Sequence, residues 1–169
     1  MPKPATRLDA NTRLRAELVA LLRGGNAHVP TASALDGIPP ERINERVDGL
    51  PYSLWELVYH LWFTQHDLLV FCINPDYAPH DWPASYWPDA EGTPTSWADT
   101  TQAFLDDLDK LVRLVKSTKT DPFAEFDHAP GYTLLREVLL AADHNAHHLG
   151  QVIALRRQLG LWPSRKPAA

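Results

Sequence analysis

Four stretches of the chain repeat apolar residues with the spacing of an α-helix that is buried on one side. The first covers about residues 7–23, and Gly24-Gly25 follows it as an end signal. The second covers residues 53–73 and is apolar on nearly all sides, so we expect it to be largely buried. The third and fourth cover residues 96–117 and 133–159. Because no segment shows the two-residue alternation of a strand, the pattern predicts an all-α four-helix bundle.

The starts of three helices carry capping signals. Ser53 and Glu56 have the spacing of a capping box, in which each side chain satisfies a free backbone amide of the other residue. Thr95 or Ser96 is the expected cap of the third helix, and Thr133 that of the fourth.

Two long irregular connections separate these helices. Residues 28–51 contain four prolines, and a short helix is predicted near Thr31–Leu35. The second connection, residues 74–94, contains five prolines interleaved with four aromatic residues: Tyr77, Trp82, Tyr86 and Trp87. Because so many exposed aromatics would be costly, we expect this segment to fold against the bundle or a partner and to form a pocket wall.

Composition narrows the classes of protein to consider. The 169 residues suffice for one domain, which we assign to residues 1–169. A net charge of −5 without clustered Lys and Arg argues against nucleic-acid binding. No apolar run approaches the ~18 residues of a membrane span, and the N-terminus does not resemble a signal peptide. With Cys72 as the one cysteine, we expect a cytoplasmic protein.

A histidine pair in the fourth helix is the strongest chemical signal. His144 and His148 are four residues apart, so they lie on one helix face and can bind the same metal ion. His147 is turned by ~100° from His148 and is expected at the surface or beside the site. Since an open zinc-type site usually takes three protein ligands, the third must come from elsewhere.

His60 is the candidate for the third ligand. It lies in a polar stripe of the second helix together with Glu56, Thr64 and Asp67. A single buried histidine is more often a hydrogen-bonded core residue than a ligand, but the histidine pair favours a shared metal. His66 lies on another side of the helix.

Other residues near these positions have both structural and functional interpretations. Gly150 is expected to let two helices approach closely. The sequence leaves open the part played by four polar residues: His28, Glu56, Asp67 and Gln151.

Together these residues resemble the DinB/YfiT-like family of bacterial metal-binding bundles. The features are His60, the His144/His148 pair followed by Gly150-Gln151, and the Gly-Gly-x-Ala-His sequence of residues 24–28. The likeness extends from the first helix to about Gly160. It implies an up-down-down-up bundle, a divalent metal held by His60, His144 and His148, and frequently a homodimer. Relatives often carry Glu immediately before the second-helix histidine, where this chain has Tyr59.

The resemblance also suggests a function. Family members include thiol-dependent S-transferases and a thiol-dependent maleylpyruvate isomerase, while many have no assigned reaction. Three neutral imidazoles leave the 2+ charge of a zinc or nickel ion uncompensated, which suits Lewis-acid chemistry. We therefore expect a metal-dependent transferase or hydrolase acting on a small molecule, with a low-molecular-weight thiol as the candidate co-substrate.

Two other functions stay open at this stage. The first is a metal-containing ligand-binding or stress-response module without turnover, and the second a bundle whose histidines no longer bind metal. No catalytic residue and no organic cofactor is predicted. A homodimer formed through helix faces is expected from the resemblance. The number of aromatic residues also favours it, because one buried helix interface would not use all three of Trp55, Trp62 and Trp97.

Overall fold

The computed structural model describes residues 9–163, which form five α-helices and one small β-hairpin. The elements in chain order are α1 (Ala10–Arg23), α2 (Thr31–Leu35), α3 (Leu54–Ile73), α4 (Pro94–Lys116), β1 (Glu125–Phe126), β2 (Ala129–Thr133) and α5 (Leu134–Gln158). Short 3₁₀ turns lie at Pro40–Arg42 and Ala84–Tyr86. The four long helices and the short helix α2 confirm the predicted all-α four-helix bundle.

The predicted helix ends are close to the observed ones. Ser53 caps α3 in the expected capping box with Glu56, and Thr133 caps α5. The third helix starts earlier than expected, because Thr93 is its cap and Pro94 its first residue, a position that tolerates the missing proline N–H. Asp9 caps α1, and the part of the predicted first helix before it lies outside the described residues.

The structure also contains one short pair of strands, which the sequence pattern did not indicate. β1 and β2 pair as an antiparallel hairpin between α4 and α5. These strands are only 2 and 5 residues long, and the second contains Pro130 and Gly131. Such short segments are too brief to show a two-residue alternation.

Two core clusters at opposite ends of the bundle establish the directions of the helices. One joins the start of α3 to the start of α4 and the end of α5. The other joins α1 to the end of α3, the end of α4 and the start of α5. Arg15 donates to the carbonyl of Val115 at the end of α4 (2.6 Å), while Arg23 pairs with Asp109 (2.8 Å), so α1 and α4 are antiparallel. The bundle is therefore up-down-down-up.

Because α3 and α4 run in the same direction, the chain between them must return along the bundle. We call this connection, Asn74 to Thr93, the aromatic loop. It runs back along α3 through successive contacts: Tyr77 with Phe71, Tyr86 with Phe63, Trp87 with His60, and Ala90 with the indole N–H of Trp55. The expectation that this segment folds against the bundle is confirmed, although Trp82 is 71% exposed.

Two of the three tryptophans expected to be available for a partner are buried within this chain. Trp55 and Trp97 are each 6% exposed and belong to the same core cluster, whereas Trp62 is half-buried. Within residues 9–163, no helix is long and apolar enough to cross a bilayer.

Gly92→Ala should destabilise the fold by about 1–3 kcal/mol, the usual cost of overpacking a core. A Cβ atom at Gly92 would lie 2.6 Å from Cδ2 of Trp55. The backbone cannot easily move away, because the side chain of Asn44 donates to the Gly92 carbonyl and accepts from the Gly92 N–H. Urea denaturation measures the change.

Gly150→Ala is the matched control. The expectation that Gly150 allows two helices to approach was wrong, because a Cβ there meets nothing within 4 Å. Since Gly150 lies inside α5, alanine should instead stabilise the protein by about 0.5–1 kcal/mol. Equal losses of stability in both variants would contradict this reading.

Candidate metal centre

Three histidines from two antiparallel helices meet in the groove between α3 and α5. One ring nitrogen of each of His60, His144 and His148 lies within 4.8 Å of those of the other two. The closest pair is Nε2 of His60 and Nε2 of His144, 3.0 Å apart. His60 is buried, and the other two histidines are half-buried. Among residues 9–163 this is the one group of three or more potential ligands with such spacing.

A buried polar chain beside the histidines sets the register of the helices. Asn145, next to His144, donates from its side-chain amide to Oε1 of Gln65 on α3 (2.8 Å). Gln65 in turn donates to the carbonyl of Phe104 on α4 (2.7 Å). Because buried amides are costly without partners, this chain fixes how α5, α3 and α4 lie against one another.

Hydrogen bonds fix the orientation of two of the imidazoles. The Nδ1–H of His60 donates to the backbone carbonyl of Tyr86 (3.1 Å), which can only accept. The Nδ1–H of His148 donates to Oε1 of Gln151 (2.6 Å). Both rings are therefore held in the tautomer that leaves Nε2 with a free lone pair, as in most metal-binding histidines.

His144 completes the set. Its Nδ1 is buried and has no hydrogen-bond partner within residues 9–163. If Nδ1 carries the proton, the Nε2 lone pairs of His60 and His144 face each other at 3.0 Å, an arrangement that a cation between them would stabilise. If Nε2 carries it, His144 donates to His60 instead.

The protonation of the three histidines also fits metal binding. Burial lowers the pKa of all three side chains. For His144, burial and then the nearby His148 and His60 rings lower the pKa to about 3. The imidazoles are therefore neutral at pH 7, the form that binds metal. Zn–N bonds of ~2.0–2.1 Å place tetrahedral ligand nitrogens roughly 3.3 Å apart, so small ring rotations would suffice for a divalent ion.

The aromatic loop covers one side of this centre. The indole of Trp87 stacks on the His60 ring, with centroids 4.3 Å apart and an angle of 2° between the planes. Sequence reasoning expected a pocket wall from this loop but did not identify Tyr86 or Trp87 as contacts of His60. The signal was their position in the one connection rich in aromatic residues.

Several residues singled out in the sequence lie away from the centre. Glu56 accepts from the backbone N–H of Ser53 (2.6 Å) and pairs with Arg46, so it serves as a cap. His66 faces α4, where it bonds to Asp107 (2.7 Å). His28 bonds to the carbonyl of Val29 in its own loop.

Other candidates lie beside the ligands or have a structural role. His147 is exposed and touches the amide of Gln151, which itself holds His148. Cys72 is half-buried, and burial raises the pKa of its thiol to about 12, so it is a poor nucleophile.

The chain is thus a helical bundle with three converging histidines that could hold a metal ion. The chain belongs to the DinB superfamily, whose family model matches residues 27–152. The match includes all three histidines but is narrower than the resemblance in the sequence suggested, because it starts after α1 and ends within α5. No curated protein and no solved structure is significantly similar to the chain.

Proposed function

We propose that the protein is a metal-dependent enzyme that binds one divalent metal ion through His60, His144 and His148. The observation that carries this proposal is the convergence of three neutral imidazoles, two of them held with Nε2 free. Membership of the DinB superfamily supports it. Zinc and nickel both suit nitrogen ligands.

The side chains around the centre suit it to chemistry on a bound small molecule. A divalent ion there would supply Lewis-acid activation of a thiol or an oxygen ligand. Trp87 and the neighbouring core exclude water from the His60 side. His148 is half-buried and its neighbour His147 exposed, so a substrate can approach from the α5 side.

The reaction proposed is transfer of a low-molecular-weight thiol to a small electrophile. In that reaction a sulfur–carbon bond forms while the bond from carbon to the leaving group breaks, and the thiol proton departs with the leaving group. Hydrolysis, with water in place of the thiol, is the related alternative. Thiol transfer would require no nucleophile from the chain, which fits the unreactive thiol of Cys72.

A screen of the zinc- or nickel-loaded protein against electrophiles, with several cellular thiols, tests the enzyme proposal. The expected result is many turnovers per chain that disappear in a His60→Ala/His144→Ala variant. Stoichiometric binding of a thiol or electrophile without product would instead support a ligand-binding module that uses the same metal.

Metal loading is itself a prediction. After incubation with zinc or nickel and extensive dialysis, elemental analysis should find about one ion per chain, because three imidazoles match the usual ligand count of an open site. The His60→Ala/His144→Ala variant should retain far less. A native chain that stays metal-free with both ions at neutral pH would contradict the proposal.

We also propose that the protein forms a homodimer through helix faces. Three exposed leucines, Leu21 on α1 and Leu139 and Leu140 on α5, support this proposal, since they are 42–47% exposed. Light scattering should give about twice the chain mass of 19.0 kDa. A mass of one chain at high protein concentration would rule out the dimer.

A further inference from the structure

A buried carboxylate on α3 anchors the aromatic loop. Asp67 lies seven residues after His60 on the same side of the helix and is 8% exposed. Its Oδ1 accepts the phenol O–H of Tyr77 (2.9 Å), and its Oδ2 accepts that of Tyr86 (2.5 Å). Since a buried carboxylate needs hydrogen-bond donors, both tyrosines are held at this point.

Tyr86 contacts α3 in two places. Its phenol reaches Asp67, while its backbone carbonyl accepts the Nδ1–H of His60 (3.1 Å). The next residue, Trp87, lies flat against the His60 ring. Tyr86 therefore links the carboxylate to the imidazole across about two turns of helix.

Both phenols are well suited to this role. Burial, with Asp67 as the next cause, raises the pKa of Tyr77 to about 12 and also raises that of Tyr86. They stay protonated and remain donors at neutral pH. The third polar group near the carboxylate, Nε2 of the half-exposed His80, lies 3.8 Å from Oδ1, too far for a hydrogen bond.

We infer that Asp67 is a positioning residue: it fixes Tyr86 so that the Tyr86 carbonyl holds His60 as its Nδ1–H tautomer, with Nε2 directed at His144. The consequence for metal affinity rests on the proposed function. The effect on the His60 ring does not, because the hydrogen bonds that produce it lie within the chain. Asp67 acts through Tyr86 and does not itself reach the histidines.

The two tyrosines provide a matched pair of variants. Tyr86→Phe and Tyr77→Phe each remove one hydrogen bond to the same carboxylate, but only Tyr86 also contacts His60. Two readouts apply to every variant. Long-range ¹H–¹⁵N NMR of the metal-free protein gives the tautomer of His60, and competition with a chromophoric chelator gives the zinc affinity.

Native protein and Tyr77→Phe should show His60 as the Nδ1–H tautomer and bind zinc within about threefold of each other. Tyr86→Phe should show a mixture of tautomers and bind zinc about 10-fold more weakly, the lower end of the range for partners of metal ligands. Asp67→Asn should likewise give a mixture of His60 tautomers and weaker zinc binding. If Tyr86→Phe does not fold, Asp67→Asn is the variant that tests the inference.

The possible outcomes separate the inference from the proposed function. If Tyr86→Phe and Asp67→Asn keep the tautomer and affinity of Tyr77→Phe, Asp67 only stabilises the loop and the inference is wrong. If native protein does not bind zinc but these two variants alone lose the tautomer, the proposed function fails and the positioning role stands.

Discussion

Replacing His148 by alanine should weaken zinc or nickel binding by more than 100-fold, whereas His147→Ala should change it by less than about 10-fold. His148 is one of the three converging imidazoles, and losing a ligand should exceed the 10- to 100-fold effect of losing a ligand's partner. His147 is exposed; it lies 3.3 Å from the amide nitrogen of Gln151 and edge-on to the His148 ring, but it is not one of the three converging imidazoles. A competition titration resolves the two cases.

The comparison is well matched, because the two variants remove the same side chain from adjacent positions of α5. Circular dichroism should show unchanged helix content in both. Loss of metal in His147→Ala with retention in His148→Ala would show that the ligands are not the three histidines proposed. Equal retention in both would show that His148 is dispensable.

The bundle could be predicted because its signals are local. The helical periodicity extends over 14 to 25 residues, and it can be recognised from neighbouring residues, as can the caps at Ser53 and Thr133. The cap of α4 was misplaced because Thr93, Thr95 and Ser96 all have suitable side chains. Only the hydrogen bonds in which the backbone N–H of Thr93 and that of Ser96 each donate to the hydroxyl of the other residue identify Thr93 as the cap.

The histidine cluster was also predictable, because the positions of its residues on their helices follow from local spacing. His144 and His148 share a face by spacing alone, and His60 stands out as a polar residue on an apolar helix. Its contact with the pair depends on the register of α3 against α5, which the Gln65–Asn145 hydrogen bond sets. No sequence pattern shows that bond.

The aromatic loop could not be predicted in detail. Its composition indicated that it packs on the bundle, but which ring meets which residue depends on the path of an aperiodic segment. Asp67 shows the difficulty, because its carboxylate holds two tyrosines that are 10 and 19 residues away in sequence. For the same reason Tyr86 and Trp87 were not recognised as contacts of His60.

Acidification should destabilise the metal-free protein through His144. Folding lowers the pKa of this side chain from 6.5 to about 3, chiefly because the ring is buried. Below pH 6.5 the unfolded chain therefore binds a proton that the folded chain does not. The stability from the neutral ring is fully present above pH 6.5 and is lost as the pH falls toward 3. Bound metal should move the loss to lower pH, because protons must then displace the ion.

Urea denaturation between pH 6.5 and 4.5 measures this effect. His144 should account for a loss of about 2 kcal/mol over that interval, from a slope approaching ~1.4 kcal/mol per pH unit for each proton taken up on unfolding. His144→Gln removes the titrating group but keeps a polar side chain, so its free energy of unfolding should fall less steeply. This pH interval lies mostly above the pKa values of carboxylates, so their titration contributes little to the change. If the native protein and His144→Gln lose stability in parallel, His144 does not change its pKa on folding, and its burial as a neutral ligand is excluded.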